Sequence, residues 1–410
     1  MTKNILALIG VITISISAID LGYAGPLIIN DESPIVIKLD TRVRYEFGDQ
    51  DGLDQSHNGS LRNRLGLGTK EINGFQFFGE YERTAVVDRR SYFVPGVQGT
   101  PGKTVIADPE SNEINQLWVS YKSDDGTVMI KTGRQAINID NHRYVGGVAW
   151  RQNMQTFDAA TLAWKPNSSF EFSYSYVNKV NRIFGSEVFG APQSDFEGDT
   201  HLVNAKYKDF PLGVLTAYAY SMDLENVIGG STVNSNNSFG LSLAGDFSDS
   251  ELSYYLEYGH QTEAAQSPLD YSVNYGHGYV QFPVIGNISA TAGLEYLGSD
   301  NGVGYKFPLA TLHKFNGFAD QFLVATPATG LTDMYVALSA KLPCDFGAAV
   351  FYHHFEDDEF DVEWGNEVDI VLTKKLTSRA SLLGKGAFFM GNDTGYADLN
   401  RFSLEVNYQY

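Results

Sequence analysis

The sequence predicts an all-β protein: a transmembrane antiparallel up-and-down β-barrel of about 18 strands, with short periplasmic turns and long extracellular loops. Three observations predict it. Period-2 alternation of apolar and polar residues runs through most of the chain, and helical periodicity is nearly absent. The connections between the alternating segments switch between short and long. The last stretch, Arg401 to Tyr410, alternates without a slip and ends on an aromatic residue.

The chain opens with Lys3, an apolar run from Ile5 to Ile19, and the small residues Gly22 and Ala24. This is the layout of a secretory signal over residues 1–24. The run is too short and too interrupted to span a bilayer as about 20 apolar residues would. No later segment reaches that length free of charges. If the mature chain, residues 25–410, sits in a membrane, it crosses as strands closed into a single barrel domain.

The first strand, near 35–47, sets Ile37, Leu39, Val43, Tyr45 and Phe47 on one face and Lys38, Asp40, Arg42, Arg44 and Glu46 on the other. The next, near 60–71, opposes Arg62 and Arg64 to Leu61, Leu65 and Leu67. Asn73-Gly74 is a tight-turn dipeptide. It leads into a strand over 75–84, followed by a long loop over 85–112 that contains proline and glycine. A strand over 113–123, a short SDDG turn and a strand over 126–135, which carries Lys131, precede a second long loop. Strands over 154–165 and 169–181 follow. The latter places Phe170, Phe172, Tyr174 and Tyr176 on one face, a row suited to lipid or its interface.

From there the short turns KDFPLG, DFSDSE, FPVIGN, LPCDF and KKLTS are interleaved with connections at 182–199, 224–236, 262–270, 299–331, 356–362 and 391–397. With both ends of the mature chain in the periplasm, every long connection falls outside. The closing strand is expected to pair with the first, which removes both free edges.

Composition agrees with a wall wet on one side and apolar on the other: 24 Tyr, 26 Phe and 41 Gly. The net charge of −20 argues against nucleic acid, which requires a basic face. Cys344 is the sole cysteine, so there is no disulfide framework and no thiolate metal cluster. His353 and His354 are adjacent in a strand and point to opposite faces, so they make no two-histidine metal site. The acid-rich segment 356–363 lacks the spacing and glycine of a calcium loop. No nucleophile elbow, zinc-protease motif or phosphate-binding loop is present. Neither a cofactor nor an enzymatic activity is expected.

The least generic stretch is residues 133–159, GRQAINIDNHRYVGGVAWRQNMQTFDA. It carries Arg134, Arg143 and Arg151, Asp140 and Asp158, and the pair Gly146-Gly147. Gly133-Arg134-Gln135, the turn Asn141-His142-Arg143-Tyr144 and the run Trp150-Arg151-Gln152-Asn153 to Asp158 resemble the alginate export family of outer-membrane β-barrels. The likeness extends to RVRYEF and LRNRLGLG near the start, to HKFNGFAD, and to the closing strand.

That resemblance implies a bacterial outer-membrane pore for an anionic polysaccharide. It also implies an inward course for the loop over 136–153, which narrows the lumen; the alternative course caps the outside and leaves Trp150 as an interfacial anchor. Gly146-Gly147 would permit the sharp bend of the inward course.

The residues expected to line the pore or bind substrate are Arg42, Arg44, Arg62, Arg64, Lys131, Arg134, Asp140, Asn141, Arg143, Arg151 and Asp158. Guanidinium groups match carboxylates bidentately and stay charged. The same arginines can instead pair with Asp40, Glu46 and other acids in a structural network, and the two roles are compatible. The expected partners are outer-membrane lipid, an anionic or polar saccharide or similar small solute, and, through the strand ending at Tyr410, the barrel-assembly machinery. Two further functions stay open: a secreted soluble β-protein that binds or processes polysaccharide, and a plugged barrel with a structural or adhesive role.

Overall fold

The structure, a computed structural model, describes residues 27–28, 33–185, 195–226, 229–247, 252–323, 326–392 and 395–410. The expected signal sequence over 1–24 lies outside them. One antiparallel sheet of 20 strands contains two two-residue segments, Leu27–Ile28 and Glu225–Asn226, and 18 long strands that form the wall.

The chain crosses as β1 (Ile35–Gln50), β2 (Ser56–Thr69), β3 (Phe75–Val86), β4 (Ser111–Lys122), β5 (Val128–Gln135) and β6 (Thr156–Trp164). It continues as β7 (Phe170–Asn181), β8 (Asp195–Phe210), β9 (Gly213–Met222), β10 (Asn236–Phe247), β11 (Leu252–Glu263) and β12 (Ser272–Ile285). It finishes as β13 (Ile288–Leu297), β14 (Leu331–Leu342), β15 (Phe346–Glu356), β16 (Glu363–Lys375), β17 (Ala380–Gly391) and β18 (Leu399–Gln409).

Each strand pairs with its neighbours in sequence, and β1 pairs with β18 from Asp40↔Gln409 to Gln50↔Leu399. The sheet therefore closes as an up-and-down barrel. The polar stretch 48–59 between the first two expected strands leaves a shorter connection than its composition suggests, because β1 and β2 stay paired as far as Gly48↔Ser56.

Alternation sorts side chains as expected. Val43, Tyr45, Leu61, Leu65, Leu67, Val336 and Leu338 face outward, 40–59% exposed. An apolar belt of this extent has no stable place in water and fits hydrocarbon. On the inner face Asp40, Arg42, Arg44, Glu46, Arg62 and Arg64 are buried. His353 turns inward to Asp333, and His354 turns to Glu356 and Asn366 on the other side.

A hydrophobic cluster includes Tyr144, Val145, Phe157, Tyr218, Tyr275, Tyr305, Phe307 and Leu309. In a barrel such a cluster lies inside the wall, and here it is built where extracellular loops fold back into the lumen.

Candidate functional site

The segment 136–155 between β5 and β6 takes the inward course. Its tip is a tight turn in which Asp140 and His142 have positive φ (51° and 68°) and Asn141 Oδ1 accepts the Arg143 amide at 3.0 Å. That turn aims Arg143 and Tyr144 at the far wall. Arg143 donates to Glu295 of β13 at 2.8 Å and to Asn316 at 2.8 Å, with its guanidinium over the rings of Phe307 and Phe315. The Tyr144 hydroxyl accepts from Tyr218 at 2.9 Å and lies 2.7 Å from that of Tyr305. Asp140 meets Lys206 at 2.5 Å and Asn204 at 2.7 Å, both on β8.

The loop then packs against a second inward segment, 305–323. Val145 forms a parallel bridge with Leu309, and the Gly146 amide donates to the Leu309 carbonyl at 2.9 Å. A Cβ on Gly146 would stand 2.3 Å from Thr311 Oγ1. The glycine pair therefore serves close approach of two backbones. The expected bend falls one residue later, at Val148, whose φ is 49°.

Returning to the near wall, the loop lays its carbonyls on the arginines. Arg42 donates to the carbonyls of Ala149 and Trp150 at 3.0 Å each. Arg44 donates to Asp108 at 2.9 Å, to Glu405 at 3.0 Å and to the Trp150 carbonyl, with its guanidinium 4.0 Å above the Trp150 ring. Arg64 bonds Glu82 and, at 3.3 Å, the Gln152 carbonyl. Arg62 bonds Asp40 through one nitrogen; its Nε and Nη1 are buried with no hydrogen-bond partner.

Strand register makes these cations a staircase along the seam where the barrel closes. Arg401 pairs with Gly48, Lys385 with Ser403 and through it Glu46, Arg44 with Glu405, Arg42 with Arg62, Asp40 with Arg64, and Lys38 with Gly66. Successive rungs are two residues apart, or about 7 Å along the strand. Asp40, Glu46, Glu82 and Glu405 interleave with the cations along the same wall.

The other expected residues divide. Arg151 lies inside, bridging Asp320 at 2.8 Å and Glu46 at 3.4 Å. Lys131 faces inward over the Trp118 ring at 4.6 Å. Arg134 and Asp158 pair with each other at 2.7 Å on the opposite face, where Arg134 stands across from the outward Leu117. These two belong to the outer wall and are separated from the lumen group by strand parity.

Four residues of the site were not singled out: Lys385, Arg401, His313 and Asp320. The HKFNGFAD segment held a signal for two of them, since its first and last residues bond to each other. Asp320 Oδ1 accepts from His313 Nδ1 at 2.7 Å, and Lys385 lies 3.0 Å from His313 Nε2. The His313 ring stacks on Trp150 at 4.3 Å, 4° from parallel. Burial pushes the His313 pKa down to about 3, only partly offset by Asp320. Burial works the other way on Asp320, yet His313 and Arg151 hold its carboxyl well below the usual range.

Above the constriction lies a vestibule of about 900 Å³, lined by Arg143, Arg151, Arg182 and Lys306 and by the rings of Phe307 and Phe322 among others. Below it is a gap of about 20 Å³ between Trp150, His313, Asp320, Lys385, Arg401 and Glu46. The two spaces share His313, Asp320 and Arg401. A gap of that size holds about one water molecule.

A family model for alginate export matches residues 33–291, from the start of the first strand into β13. No curated protein sequence matches the chain. Among solved structures, OccAB4 of Acinetobacter baumannii superposes with a TM-score of 0.70 at 12% identity, over 93% of this chain and 99% of that one. OccAB2 of the same organism gives 0.69 at 13%, over 92% and 98%. OpdK of Pseudomonas aeruginosa, solved with vanillate, gives 0.67 at 14%, over 91% and 98%. At these identities the likeness is one of fold. The chain belongs to the alginate export family, as a bacterial outer-membrane barrel of porin type that is a channel, not an enzyme.

Proposed function

We propose that the barrel passes a small anionic solute passively down its gradient, along the arginine-bearing wall from Arg401 to Lys38. The observation that carries this is Arg62. It is fully buried midway down the staircase, and two of its guanidinium nitrogens have no partner. Donors of that kind are costly to leave unsatisfied, and a carboxylate supplies charged acceptors for them. A carboxylate-bearing saccharide, alginate-like in its chemistry, meets the requirement. Because the gap holds about one water molecule, passage of even a single unit requires the inward segments to move.

A second reading has its own observation. Phe184, Phe196, Phe307, Phe315 and Phe322 stand in the vestibule beside its arginines, a lining that suits a carboxylate on an aromatic body. OpdK, which shares the fold, was solved with vanillate. Closure of the first and last strands, with Leu39 and Tyr410 exchanging backbone hydrogen bonds at 2.8 Å, also supports delivery of the final strand to the barrel-assembly machinery before the seam is sealed.

The test is the reversal potential of the purified barrel in a planar bilayer under a KCl gradient. Wild type is expected to prefer chloride, and Arg62→Gln to lose part of that preference, by roughly threefold in permeability ratio. An Arg62→Gln channel with unchanged selectivity would remove the proposed route. Block of the current by benzoate more than by glucuronate favours the aromatic reading.

A further inference from the structure

We propose that Lys385 is the ammonium that selects anions at the narrowest point of the channel, with His313 as its positioning residue. The inference rests on the anion-channel reading above and assigns its selectivity to one side chain. Lys385 projects from β17 on the rung of Glu46 and Ser403, inside the small gap below the vestibule. Its side chain is buried.

Its Nζ meets His313 Nε2 at 3.0 Å and lies over the rings of Trp150 at 4.0 Å and Phe318 at 4.1 Å. An ammonium has three donors and no acceptor. The imidazole takes one, and the ring faces attract the charge without accepting a conventional hydrogen bond. Among the described residues, no carboxylate stands within ion-pair distance of it.

Its cationic neighbours differ. Arg44 is matched by Asp108 and Glu405, and Arg151 by Asp320 and Glu46. Arg401 directs its donors to the carbonyls of Ala319 and Val105. Among the described residues, Lys385 is the cation at the gap with neither a carboxylate nor a backbone carbonyl as partner. A buried, underpaired ammonium is unfavourable in the empty gap. A carboxylate passing through supplies both charge and acceptors, whereas a cation is repelled by Lys385 and Arg401 and finds the gap's carboxylates, Asp320 and Glu46, already ion-paired to Arg151.

His313 sets the aim. Asp320 accepts the hydrogen bond of Nδ1–H, which leaves Nε2 as a bare acceptor facing Lys385. The stack on Trp150 fixes the plane of the ring.

The experiment uses the full-length barrel in planar bilayers, reading reversal potential in a KCl gradient and block by sodium glucuronate. Lys385→Met is expected to lower the chloride-to-potassium ratio by about threefold or more and to weaken glucuronate block about tenfold. Lys385→Arg should keep both near wild type. Lys385→Gln, uncharged and polar, carries the same test should the Met variant fail to insert. His313→Leu should lower the ratio, whereas His313→Gln, which retains an acceptor for Lys385, should restore it. A wild-type reversal potential in Lys385→Met or Lys385→Gln overturns the assignment while the anion-channel reading stands. A wild-type channel with no anion preference overturns that reading itself.

Discussion

Arg44 and Arg62 occupy the same wall and are both fully buried, yet one is saturated by acids and a carbonyl and the other keeps free donors. Burial therefore does not tell a saturated arginine from one with unmet donors; the count of satisfied nitrogens does. A similar count bears on His313. Docked, it is neutral, with its pKa pushed down to about 3, against an ordinary value of 6.5. When the inward segment undocks and exposes the ring, it takes up a proton near the ordinary value. The folded pKa is the depressed one, so the stability it supports is present above 6.5 and is lost as pH falls towards 3. The undocked state gains about 1.4 kcal/mol per pH unit in that window. Below about pH 4, the depressed carboxyl of Asp320 adds a loss of the same sign. Single-channel records at pH 7 and pH 4.5 should show more frequent large-conductance openings at the lower pH, with the difference much reduced in His313→Gln. Equal opening frequencies at the two pH values in wild type would mean that His313 does not hold the segment in place.

The two inward segments act as one body because their backbones touch at Val145, Gly146 and Leu309. Any side chain at Gly146 would enter the space of Thr311 Oγ1 and His142 Cβ. Gly146→Val is therefore expected to separate the segments, enlarge the gap beside Trp150 and raise conductance severalfold, with faster proteolysis within 136–155 as an independent reading. Conductance and cleavage at wild-type levels would show that the contact is dispensable. Part of this was legible in the sequence: the strand alternation and four of the staircase arginines follow from period, whereas the turn at Asn141 to Tyr144 and the inward course of the loop came from the family resemblance, with a cap on the outside left open. Lys385 was not legible, because LLGKGAFF reads like any wall strand, and its meaning comes from a register that joins β17 and β18 to β1 across the closure. The grouping of Arg134 with Lys131 shows the opposite failure. Residues three apart on a strand face opposite sides, so the period itself separates them, and clustering of arginines in sequence obscured that rule.

Closure decides what each face of the wall experiences, and it makes adjacent residues report on different solvents. On β14, Leu338 is 56% exposed on the outer belt, and Ser339 is 8% exposed on the inside. Register places Leu338 across from Val350 and Ala290, and Ser339 across from Ala349 and Ser289, so the two differ in facing far more than in height. An arginine on the lipid face near mid-membrane costs about 2–4 kcal/mol, falling towards the interfaces. An arginine on the inner face stays in a polar lumen and can pair with one of its acids. Leu338→Arg should thus lower the denaturant midpoint of the lipid-inserted barrel, with little change in the selectivity of channels that do insert. Ser339→Arg should leave the midpoint within about 1 kcal/mol of wild type and shift the reversal potential towards chloride. If both substitutions destabilise alike, the outer face at β14 is not in hydrocarbon. If Leu338→Arg is the one that moves selectivity, the strand is turned the other way, and the staircase built on the same parity would face lipid.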